Sequence, residues 1–330
     1  MSKKAVSLSL LLAGLSFSAI ATIQPPQSQN SATIPLEEQV PVEYQAAVSR
    51  VVEMRQFAID RLGLYHDSKH YTWFTENTDH TLSILLITEK TVLPTSRKKS
   101  EFLTMNGIYH EDIKGFFYLN SEQDSLTDEQ DYYAKQGYDT YWRSVTDYHT
   151  PGNGKGSPIT PSFLSQNLVN QDQTVKHEMC HEFVGINIGS LSSSVDESFC
   201  NFVGYAGAVE FFAQGEKPES AGAVESYHTQ LEFAKKFNAL FERVQYLYTQ
   251  PVPDQEKMRR RKDLFTESEE FLGPGVNNAS LWSWHPYLVY YPLMSDVYEA
   301  QGRNLQKFIE KMKDCPEQEQ EALEYIHGLL

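Results

Sequence analysis

The run His177-Glu178-Met179-Cys180-His181 constrains this chain more than any other segment. Its two histidines stand four apart, and on an α-helix residues at that spacing share one face. The flanking residues read as helix, so both imidazoles can aim at one ion, with Glu178 displaced round the helix toward a water on that ion. Metal-assisted hydrolysis needs this layout: two neutral nitrogen ligands on zinc, an open coordination position and a carboxylate as general base. A third ligand must come from a second element. Asp196-Glu197 stands at the start of another strongly helical stretch and offers Glu197. Asp196 and Glu182 are the rival carboxylates, although Glu182 directly follows His181 and so points off the metal face. Ser194-Val195-Asp196-Glu197 also fits a capping box, which would turn Glu197 back onto the Ser194 backbone. Asn201, one turn beyond Glu197, is a candidate to orient an imidazole.

The remaining pattern predicts an α+β fold, with a small sheet in the N-terminal half, helices in the C-terminal half and the metal site at the junction. A helix is expected over 36–64, with Val48, Val51, Val52, Phe57 and Leu62 on its apolar side and a stop at Gly63. Strands are expected at 82–87, 115–119 and 138–148, and a short helix over 127–136 with Thr127 as its N-cap. The glycine-rich 151–158 reads as a loop leading into the His177 helix, which should end near Gly185 or Gly189. Further helices are expected at 195–214, 221–250, 255–271, 286–301, 303–313 and 317–327.

Residues 1–21 read as a secretory signal peptide: Lys3 and Lys4, then an apolar run, then Ala19-Ile20-Ala21 as an A-x-A cleavage site. A Gln/Pro/Ser-rich linker follows over 22–35, and 36–330 forms the domain, in one piece or as lobes 36–190 and 191–330. The mature protein is therefore expected to be secreted or periplasmic, with no membrane anchor after cleavage. The net charge is −16, from 28 basic and 44 acidic residues, and losing Lys3 and Lys4 makes it more negative still. Such a surface repels phosphate backbones, so nucleic acid is not an expected partner. The dense basic cluster Arg259-Arg260-Arg261-Lys262 reads as a solvated helix face. Cys180 and Cys200 each sit on an expected metal-bearing helix, and they read equally as a bridge or as two buried thiols.

Several separated segments resemble the bacterial predicted zinc aminopeptidases of gluzincin type. These are Arg55-Gln56-Phe57-Ala58 with Leu62-Gly63-Leu64, Tyr133 to Tyr141, Val145-Thr146-Asp147-Tyr148-His149-Thr150, Glu197-Ser198-Phe199, and Asn277-Asn278-Ala279. The resemblance spans nearly the whole mature chain. It implies a zincin-like fold, Zn2+ held by His177, His181 and Glu197, and aminopeptidase-like action on peptides or small proteins. The chain departs from the family pattern at Met179-Cys180, where Leu-Ala is usual, and at Asp196, where Asn is usual. It departs again at Gly204, where a Glu is expected, and it has no Gly-x-Met-Glu-Asn amine-recognition segment.

In the mechanism these parts imply, Glu178 takes the proton from the attacking water and delivers it to the leaving amine. Tyr148 is the first candidate to donate to the oxyanion, with His228, His285, Tyr287 and Tyr290 as weaker ones. His66, His70 and His80 read as surface residues, and residues 138–148 could align an extended peptide if they form an edge strand. Two other readings share the site: a zinc-stabilised binding or scaffold protein without turnover, and a hydrolase of another amide such as cell-wall peptide.

Overall fold

A computed structural model describes residues 40–65, 67–76, 82–94, 108–110, 115–120, 123–145, 156–215 and 217–330. The expected signal peptide and linker, His66, His80 and Tyr148 lie outside them. Helix α1 (Val42–Asp60) is followed by strands β1 (Leu82–Thr88), β2 (Ile108–His110) and β3 (Gly115–Asn120), helix α2 (Gln123–Lys135) and strand β4 (Asp139–Val145). Helices then run in succession: α3 (Pro161–Leu164), α4 (Leu168–Asn187), α5 (Ser193–Ala213), α6 (Ser220–Thr249) and α7 (Asp254–Leu272). The last four are α8 (Asn278–Leu288), α9 (Tyr291–Ala300), α10 (Leu305–Met312) and α11 (Glu319–His327). This is an α+β arrangement, and no helix among the described residues is long and apolar enough to cross a membrane.

The sheet is antiparallel, in the order β2-β3-β1-β4, which leaves β4 at one edge among the described residues. Strand β1 reads as an unbroken apolar run because both of its faces are covered. Ile84 and Leu86 join the main core against the helices, while Leu85 and Ile87 pack with Leu126 of α2 and with Trp142. Strand side chains alternate between faces, so Asp139, Tyr141 and Arg143 on β4 share the helical face with their cross-strand partners Thr88, Leu86 and Ile84.

A polar network fastens that face to the helices. Asp139 accepts two hydrogen bonds from Arg261 of α7, at 2.6 and 3.2 Å, and a third from the backbone N–H of Asn278 at the start of α8. Asn278 donates onward to the carbonyls of Glu89 and Val92, and Asn277 to that of Thr140. The basic cluster is thus not uniformly solvated. Arg259 and Arg260 pair with Glu256 at the surface, whereas Arg261 is buried.

Several boundaries differ from the sequence reading for physical reasons. On α1, Val52 is exposed and Met54 and Ala58 join the buried face instead. Helix α2 begins ahead of Thr127, which therefore lies inside it and does not cap it. The helix expected from Pro286 is two helices, with Pro286 inside α8. Pro286 lies in the last turn of α8, where side chains from other helices take up the carbonyls left free as the helix ends. Ser198 donates to the Pro286 carbonyl, Asn201 to that of Tyr287, and Asn238 to those of Leu288 and Val289.

Helices α4 and α5, joined by residues 188–192, form the hairpin that carries the motif. Their approach is close enough to require glycine. A Cβ at Gly204 would lie 2.7 Å from the Gln173 carbonyl oxygen, and one at Gly207 would fall on the Lys176 side chain. The room at Gly207 is taken by Lys176, which is fully buried, pairs with Asp172 and lies over the rings of Phe57 and Phe211. Burial pushes the Lys176 ammonium pKa down and the Asp172 carboxyl pKa up.

Cys180 and Cys200 form a disulfide across the same pair of helices, with Cα atoms 5.3 Å apart. Closing a loop with a sequence separation of 20 should stabilise the fold by about 3 kcal/mol on the chain-entropy account. The Cys180→Ser/Cys200→Ser double variant is expected to lose about that amount of stability in urea unfolding. An unchanged midpoint would mean that the bridge adds nothing to the hairpin.

Candidate metal centre

The helical spacing of His177 and His181 and the crossing of α5 bring three donor atoms together. The two Nε2 atoms lie 3.1 Å apart, and Glu197 Oε2 lies 3.3 Å from His181 Nε2 and 3.6 Å from His177 Nε2. All three residues are buried. Donors about 2.1 Å from a tetrahedral cation stand roughly 3.4 Å from one another, so this triangle has the size a small metal ion requires. The chemistry of the set fits as well: two imidazoles and one carboxylate leave a fourth position open.

Glu197 reaches the ion position because α5 begins earlier than a capping box at Ser194 would require. The N-cap is Ser192, whose hydroxyl accepts from the Val195 N–H, which leaves Glu197 on the second turn, facing α4. The neighbouring acid has a different task. Asp196 Oδ1 lies 2.9 Å from His181 Nδ1, so the ring is oriented with Nδ1–H toward Asp196 and the Nε2 lone pair toward the ion position. Burial opposes a charged imidazole at His181, but Asp196 and Glu197 outweigh it and raise the His181 pKa well above its ordinary value. A bound cation would compete with that proton for the same nitrogen.

His181, Asp196 and Cys200 also cluster, but they do not make a second metal site. The Cys200 sulfur is held in the disulfide and has neither a thiolate to coordinate nor an S–H to donate. Its 3.7 Å approach to Asp196 is a packing contact.

Other candidate residues sort by position. Glu178 is fully buried on α4 between the two histidines. Glu182 turns away, as its sequence position implied, to hydrogen-bond Ser68 and the Lys69 backbone. Asn201 does not orient an imidazole; its amide donates to the Tyr287 carbonyl at 3.1 Å, and Asp196 takes the orienting role. Tyr287 is the one weaker candidate that lies against the site, its ring 6.1 Å from the His177 ring and inclined by 27°. Tyr290 donates to Glu319, His285 stacks on Phe241, and His228 is exposed on α6.

His70 is buried rather than a surface residue. Its Nδ1 accepts from the Ser157 N–H at 3.1 Å, where the 68–71 and 156–159 segments meet. Sequence reasoning missed the pairing of Asp196 with His181. The signal lay in the acidic doublet itself, since adjacent helical residues point about 100° apart and can serve an ion and a ring at once.

The family model described as "Putative aminopeptidase" matches residues 27–324. No curated protein and no solved structure matches the chain. That family match runs from ahead of α1 into α11 and includes His177, His181 and Glu197, and on its extent the chain belongs to this aminopeptidase family.

Proposed function

We propose that the protein is an exported zinc-dependent peptidase with a zincin-like fold, aminopeptidase-like, acting on peptides or small proteins outside the cytoplasm. The observation that carries this reading is the buried triangle of His177, His181 and Glu197, with Glu178 one residue along the helix from the first ligand. Bound there, zinc would polarise the scissile carbonyl and lower the pKa of water at its open position.

The protein supplies the rest. Glu178 stands about 100° round α4 from His177 and acts as general base, taking the water's proton and then passing it to the leaving amine. Asp196 holds His181 in the ligating tautomer. Strand β4 has β1 as its only neighbour among the described residues, so its other edge can take an extended substrate as an added strand. Tyr148, beyond the end of β4, is proposed as the donor to the developing oxyanion. Export rests on the N-terminal leader pattern of residues 1–21.

Two measurements test this reading. Purified protein is expected to carry about one zinc per chain, and Glu178→Gln to keep that zinc while losing at least about 10²-fold in hydrolysis of a peptide library. Full activity in Glu178→Gln would refute the assigned base, and a zinc-loaded wild type that cuts nothing would favour a binding protein. Asp196→Ala is expected to weaken zinc binding by about 10–100-fold in a chelator competition. Unchanged affinity would remove Asp196 from the site.

A further inference from the structure

Two arginines among the described residues are buried, and they are used differently. The Arg261 guanidinium is committed to Asp139 and to the Lys90 carbonyl. Arg143, on strand β4, is 9% exposed, and among the described residues its Nε and Nη2 have no hydrogen-bond partner. Those two donors form one edge of the guanidinium, the planar fork that receives both oxygens of a carboxylate. The partly buried Arg55 shows the ordinary structural use of the same edge, with Nε and Nη2 donating to the carbonyls of His70 and Ser68.

The place of Arg143 relates it to the metal centre. Strand register puts it on the helical face of the sheet, opposite Ile84. Its guanidinium carbon lies 6.0 Å from the Tyr287 ring centroid, and that ring lies 6.1 Å from the ring of His177. The two steps together set the greatest distance from Arg143 to the metal-ligating imidazole. An extended peptide rises about 3.3 Å per residue, so that distance is covered by three or four residues of substrate. The Tyr287 backbone between them is fixed by Asn201. A buried cation with an unoccupied fork is costly to the folded protein, and an anion arriving at that fork offsets the cost.

We infer that Arg143 is a specificity-determining residue of the site and binds a carboxylate of the substrate peptide within a few residues of the scissile bond. This rests on the peptidase reading for its substrate class, but not for its geometry. The carboxylate is either the C-terminal one or an Asp/Glu side chain, which present the same two oxygens. At Gly204, where the family resemblance leads to a Glu, the α4 backbone leaves no room for a side chain. Recognition here therefore works through a cation on β4 instead of an acid on α5.

Binding without turnover tests this. In the Glu178→Gln background, N-acetyl tri-alanine is titrated calorimetrically as free acid and as C-terminal amide, and capped Ala-Asp-Ala is compared with capped Ala-Asn-Ala. One acid is expected to bind at least about tenfold tighter than its neutral counterpart. Preference for the free acid assigns the terminal carboxylate, and preference for Asp assigns the side chain. Arg143→Gln should abolish that preference while leaving affinity for the neutral peptides unchanged, and Arg143→Lys should restore part of it. Arg143→Gln should also melt no lower than its parent, because the buried charge it removes has no hydrogen-bond partner at Nε or Nη2 among the described residues.

Equal binding of acid and neutral peptides, an acid preference that survives Arg143→Gln, or a lowered melting temperature in that variant would each overturn the inference. Acid-selective binding by a protein that hydrolyses no peptide would leave the inference standing and remove the peptidase reading.

Discussion

The close packing of α4 against α5 is the constraint on which the rest depends. A carboxylate on one helix shares an ion with two imidazoles on another only if the two helices pack directly against each other along a defined stripe. On α5 that stripe is Glu197, Cys200, Gly204 and Gly207, which recur at helical spacing. Each meets α4 differently: Glu197 by converging on the histidines, Cys200 by a covalent bond to Cys180, Gly204 by yielding to the Gln173 carbonyl, and Gly207 by making room for Lys176. Glycine at two of these positions gives up side-chain packing to bring the helices together, and the disulfide holds them there.

The helices around this hairpin are arranged to hold it in place against the sheet. Ser198 and Asn201 of α5 donate to successive carbonyls of α8 around Pro286, and α8 begins where Asn278 meets Asp139 at the start of β4. One connected path of hydrogen bonds therefore runs from α5 through α8 to β4. It sets β4, Tyr287 and His177 in fixed relation, and that relation is what gives Arg143 a defined place beside the site.

Much of this was legible in the sequence because it depends on local periodicity. The spacing of His177 and His181, the apolar run of β1 and the helical stretch around Glu197 each specify their own element. What stayed hidden depends on contacts between distant segments. The Ser194 capping box was locally plausible, yet Ser192 caps the helix and frees Glu197 for α4. Pro286 marks a helix boundary by local rules, yet it lies in the last turn of α8, whose terminal carbonyls are taken up by side chains from α5 and α6. His70 reads as a surface histidine until residue 157, far along the chain, buries it. Arg143 gave no signal at all, since only the register of β4 reveals which face it occupies.

The central claim is that two imidazoles and one carboxylate would surround a single zinc ion. Zinc K-edge X-ray absorption on the metal-loaded wild-type protein measures them directly. The account predicts two imidazole nitrogens with only oxygen completing a four-coordinate shell, at about 2.0–2.2 Å. Sulfur scattering at about 2.3 Å, a single imidazole, or an all-oxygen shell of six would contradict it.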